Sequence, residues 1–161
     1  MHHDDSVSLT KTAISATLHC LTGCAIGEVL GMVLGTAWGL SNEMTVALAI
    51  VLAFFFGYLL SLIPLLRAGL GLMGSLKIVL AADTLSILTM EIVDNLVMVG
   101  VPGAMDAGLD TLLFWMTLAL SLAIAFVVTV PVNRYLIARG KGHALMHQHH
   151  GHDHHHEQHD S

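Results

Sequence analysis

Residues 23–39, GCAIGEVLGMVLGTAWG, place a glycine at every fourth position, Gly23, Gly27, Gly31, Gly35 and Gly39, in a run whose one charged residue is Glu28. Glycine is a poor helix former in water, but along a membrane helix a small-xxx-small stripe removes side-chain bulk and lets a second backbone approach closely. The stretch therefore predicts a membrane helix with a glycine-zipper packing face. Its partner is either another helix of the same chain or the same helix of a second copy, which would make a homodimer.

The rest of the chain agrees with a membrane setting. Of its 161 residues 55% are hydrophobic and 11% are charged, against roughly 25% charged in soluble domains, and the mean hydropathy is +0.74. Four apolar windows separated by Gly-, Pro- or Asp-bearing turns predict an all-α integral membrane four-helix bundle, with spans near 16–39, 44–66, 76–101 and 111–134. A segment over 1–15 precedes this 16–140 domain, and a histidine-rich tail, 141–161, follows it. The acidic start, the long first apolar stretch and the lack of an A-x-A site directly after it argue against a cleaved signal peptide.

Charge fixes the expected orientation. Lys11, Arg67, Lys77, Arg134, Arg139 and Lys141 all fall on one side of the predicted bundle, whereas the opposite turns carry Glu43, Asp106 and Asp110. The positive-inside rule then places both termini in the cytoplasm. Six basic residues against twelve acidic ones, net −6, leave no patch for nucleic acid.

Two of the predicted helices carry chemistry. One position round from the glycines run Cys20, Cys24, Glu28 and Met32, again four apart, with His19 opening the glycine row. In AADTLSILTMEIVDNLVMVG, residues 81–100, Asp83, Met90, Asp94 and Met98 share one narrow face and Glu91 flanks it. A charged residue near the bilayer centre costs about 2.5–3.5 kcal/mol on insertion scales and usually marks an ion, proton or substrate path.

No Lys or Arg lies in the interior of any span. The balancing positive charge is then a proton, a metal ion, an organic cation or protonated His19, unless the carboxyls are protonated and bond to Thr84, Asn95 or backbone carbonyls. Cys, Met, His and carboxylate side chains are all metal-ligand types; Cys and Met favour Cu(I), and Cys with His suits Zn(II). The expected metal set is His19, Cys20, Cys24, Glu28, Asp83, Met90, Glu91 and Asp94, holding a transition-metal ion with copper or zinc favoured. Binding and transport are expected rather than enzymatic turnover.

In the tail, His143, His147, His149, His150, His152, His154, His155, His156 and His159 are interspersed with Asp, Glu, Gln and Gly. Such a segment buffers Zn, Ni, Cu or Co without a fixed fold. Two other functions fit parts of the sequence. One is a thiol-redox enzyme using Cys20 and Cys24, although C-x-x-x-C is not the usual redox spacing. The other is an accessory subunit that docks on another transporter through the glycine stripe.

The stretches TLHCLTGCAIGEVLGMVLG, AADTLSILTMEIVDNLVMVGVPGAMDAGL and PVNRYLIARGKGHA resemble a family of prokaryotic polytopic membrane proteins known as domain of unknown function 4396, from Thr17 to about Ala144. The resemblance implies a small helical protein of the inner membrane, with the first-helix Cys pair and the third-helix acidic motif as family features. It implies no substrate, and the histidine tail lies beyond it.

Overall fold

The computed structural model describes residues 2–152 apart from 68 and 70, and side chains apart from those of residues 2, 3, 5, 75, 78 and 140–152. Among the described residues the chain forms four helices: α1 (His2–Ala37), α2 (Asn42–Arg67), α3 (Leu72–Gly100) and α4 (Leu112–His152). Among the described residues, three stretches are long and apolar enough to cross a membrane: Ser6–Ala37, Asn42–Arg67 and Leu112–Arg139. The 29-residue α3 is long enough as well, but Asp83, Glu91 and Asp94 lower its apolar character. The nine tail histidines lie outside the described side chains.

Helix α1 begins at His2 rather than near residue 16. Its early polar residues are absorbed locally: Thr10, Thr12 and Thr17 donate their hydroxyls to the carbonyls of Ser6, Ser8 and Ala13, at 2.9, 3.0 and 2.7 Å. A helix of 36 residues is about 54 Å long, well beyond the roughly 30 Å hydrocarbon layer. Helix α4 likewise runs past the expected limit at 134.

The end of α1 corrects one expectation. Gly39 lies beyond the helix with φ +63°, and nothing stands within 4 Å of a Cβ placed there. The Leu40 N–H donates to the Gly35 carbonyl at 2.9 Å and the Gly39 N–H to that of Thr36 at 3.2 Å. This is a Schellman cap, which needs the left-handed conformation that glycine adopts without strain. Gly39 therefore stops the helix instead of extending the packing row. After the turn, Ser41 caps α2 by accepting the Met44 N–H at 3.3 Å.

The other four glycines face α2 of the same chain. A Cβ on Gly23 would lie 2.6 Å from the Gly57 Cα, one on Gly31 2.5 Å from the Ala49 Cα, and one on Gly35 2.5 Å from the Thr45 side chain. On Gly27 it would fall on the Ala53 backbone. Each step of four forward on α1 is a step of four backward on α2, so the pair is antiparallel and in backbone contact. Among the described residues, α2 covers this face.

The remaining helices are placed by a few contacts. Thr17 on α1 accepts from Asn133 Nδ2 on α4 at 2.8 Å, and near the other end Phe114 and Leu118 of α4 pack with Val29 and Met32. These helices are antiparallel. Cys24 meets Met90 and Glu28 meets Asp94, so α1 and α3 run parallel. Helices α1 and α3 meet across the middle, whereas the α2 and α4 backbones stay apart among the described residues. The start of α1 and the end of α4 thus lie together, at the chain-end side of the bundle.

The Thr17–Asn133 bond joins two buried side chains. Changing Asn133 to Leu should lower stability in detergent by about 1–3 kcal/mol, since a buried partner loses its bond. Thermal unfolding followed by circular dichroism measures this.

Candidate functional site

Because α1 and α3 face each other, their polar strips combine, and they do so in three layers. In the middle layer Cys20, Cys24, Met90 and Ile87 pack with Ala53 of α2 and Ala125 of α4. The Cys24 thiol points at the Met90 sulfur, 4.0 Å away. Both cysteines are free and fully buried.

On the side away from the chain ends lies a cavity of about 60 Å³ lined by Glu28, Glu91, Asp94 and Met98, with Asn95, Met32 and Met105. This exceeds the roughly 10–15 Å³ that one water needs. Glu28 and Asp94 are in side-chain contact, and Glu91 lies close to both. The Ser121 hydroxyl of α4 donates to Asp94 Oδ1. Glu91 is buried, and its Oε1 has no hydrogen-bond partner among the described residues. Among the described residues, no Lys or Arg lines this space.

Two carboxyls that touch in a low-dielectric interior cannot both hold a bare negative charge without a large repulsion. A proton or a cation must sit between or beside them. The methionine-lined side of the cavity continues outward: Met32, Val46, Met98 and Met105 also line a second space of about 160 Å³, which reaches Asp106 and Gly108 in the loop between α3 and α4. There the Asn42 amide donates to Asp106 Oδ1 at 3.0 Å and ties the loop to α2.

On the side of the chain ends, His19 and Asp83 line an open cavity of about 570 Å³ with Ser61, Pro64 and Lys11. The eight candidate ligands are therefore divided. Glu28, Glu91 and Asp94 share one space, Cys20, Cys24 and Met90 form a layer beside it, and His19 and Asp83 lie beyond that layer. Among the described residues, no group of three or more His, Cys, Asp or Glu side chains is arranged to hold a metal ion.

The contributions of α4 and of the last loop were missed from sequence. Thr117, Ser121, Ala125, Thr129 and Asn133 recur every fourth residue, and all five are buried. The spacing was present in the sequence, but it reads there as ordinary small-residue packing. Met105 lies in a loop, where helical periodicity gives no signal.

The family model described as Domain of unknown function (DUF4396) matches residues 10–142. The chain belongs to this family. The match covers all three layers and stops before most of the histidine tail. No curated protein and no solved structure matches the chain.

Proposed function

We propose that the chain binds a transition-metal cation of the copper or zinc class inside the membrane and moves it between the two ends of the bundle. The observation that carries this reading is the cavity in which Glu28, Glu91 and Asp94 converge without a basic side chain. Ion pairing within the chain is unavailable there, so an imported positive charge is the natural complement. Met32, Met98 and Met105 on one side and Cys20, Cys24 and Met90 on the other add sulfur donors along the route. Sulfur beside carboxylate favours a transition metal over sodium, magnesium or calcium.

In this reading the acidic cavity is the resting site and the Cys24–Met90 contact is the constriction a cation must pass. The basic residues at the chain-end side argue for cytoplasmic termini in a prokaryotic inner membrane. The histidine tail then buffers metal in the cytoplasm. The thiol-redox alternative has less behind it, since neither buried thiol is open to a substrate.

The test is metal analysis of the purified full-length chain with its nine tail histidines changed to serine. Copper or zinc should remain bound to that protein. A metal-free product after growth in metal-supplemented medium would overturn the reading. In cells, the same variant should still alter metal accumulation relative to an empty vector, with a smaller total capacity than the parent.

A further inference from the structure

The chain-end cavity has its own donors. His19 Nδ1 lies 2.8 Å from the carbonyl oxygen of Ser15. A carbonyl oxygen only accepts, so Nδ1 carries the proton and Nε2 of the neutral ring keeps its lone pair. An imidazole anchored in this way is the usual arrangement behind a metal-binding histidine, because the second bond fixes the tautomer and the ring orientation. Asp83 of α3 lines the same cavity, half-buried, and lies close to Cys20 and Ser61.

The Cys20, Cys24, Ile87 and Met90 layer lies between this cavity and the acidic one, and the two share no lining residue. Lys11 also lines the chain-end cavity. It precedes His19 by eight residues in α1, about 12 Å along the helix at 1.5 Å per residue. Its charge therefore sits nearer the chain ends than the His19 ring.

We propose that His19 and Asp83 form a loading station, separate from the acidic cavity, for a partly hydrated divalent cation of the zinc class. One imidazole and one carboxylate leave the other coordination positions to water, for which the cavity has room. Cu(I) prefers thiolate and thioether donors and has little claim on a nitrogen–oxygen pair. A borderline divalent ion accepts this pair and also the carboxylates and sulfur atoms deeper in the bundle. The inference rests on the acidic cavity being a cation site, and it names the cargo: an ion that both stations can hold.

The test uses the full-length chain with the tail histidines changed to serine, reconstituted in liposomes with Zn2+ supplied on the side of the chain termini. His19→Ala and Asp83→Asn should each raise the half-saturating Zn2+ concentration for transport at least about tenfold, the scale of losing one element of a metal site. Zinc held by either purified variant at saturating Zn2+ should fall by no more than the loading station's own share, with the acidic cavity still filled. His19→Cys, which supplies another zinc ligand, should stay within about threefold of the parent and so separates ligation from folding.

Half-saturation unchanged in both His19→Ala and Asp83→Asn would overturn the loading station. If His19→Cys were as impaired as His19→Ala, a ligand role for His19 would likewise fall. Failure of the acidic-cavity reading looks different: Zn2+ transport, and not just the zinc held at His19 and Asp83, would then survive in the double variant Glu28→Gln with Asp94→Asn.

Discussion

Neutralising the acidic pair, by Glu28→Gln with Asp94→Asn in the chain whose tail histidines are changed to serine, should weaken metal binding at the acidic cavity at least about tenfold while leaving helix content unchanged. Both replacements keep side-chain volume, and the Ser121 hydroxyl can still donate to an amide oxygen at position 94. What is lost is negative charge. Two carboxyls from different helices are held in contact inside the bundle, and without a cation their approach is unfavourable unless a proton is shared. The metal-free variant should therefore be as stable as the metal-free parent, or more stable.

The parent should gain stability with metal, by about 2.7 kcal/mol when free metal exceeds the dissociation constant a hundredfold. That gain should vanish in the variant. Thermal unfolding of both proteins with and without zinc or copper checks each half of the statement. An undiminished metal-dependent shift in the variant would remove Glu28 and Asp94 from the binding site. Acidification should act in the same direction as the substitutions, because a carboxylate must be free of its proton to ligate a metal.

The second large effect is structural. Gly27→Leu should prevent stable assembly of the bundle, because even a Cβ at this position falls on the Ala53 backbone. Relief requires α1 and α2 to separate along a stripe in which Gly23, Gly31 and Gly35 make similar approaches. Overpacking a tight core typically costs about 1–3 kcal/mol where side chains can adjust. Here the obstacle is backbone, so a larger loss is expected, read as low yield and early unfolding in detergent.

Two other glycines calibrate that result. Gly39→Ala meets no neighbour, but φ is +63° there, so it should cost about 1–2 kcal/mol through the left-handed backbone alone. Gly74→Ala, in α3 with nothing near its Cβ, should gain about 0.5–1 kcal/mol by helix propensity. If Gly27→Leu behaved like Gly74→Ala, close contact between α1 and α2 would be excluded.

Much of the bundle is legible because its signals are local. Cys20, Cys24 and Glu28 fall on one strip by spacing alone, as do Met90, Asp94 and Met98, and the apolar windows between turns mark the helices. Helix α1 extends before the first apolar window because Thr10, Thr12 and Thr17 fold their hydroxyls back on the preceding turn. Gly39 falls in the same row by spacing, but a fourth-residue repeat does not reveal that the helix has ended.

The glycine spacing at 23, 27, 31 and 35 determined that another backbone would come close, since nothing else on that strip has bulk. Only the tertiary structure decided that this backbone is α2, because partner choice depends on matching rows distant in sequence. In the same way, sequence determined that Glu28, Glu91 and Asp94 enter the apolar interior without basic counter-charges. Packing of α1 against α3, with Ser121 supplied by α4, decided that these acids share one cavity and that His19 and Asp83 stand apart behind the cysteine layer. Periodicity assigns a side chain to a face and a height, whereas contact between faces is fixed only when all four helices fill space together.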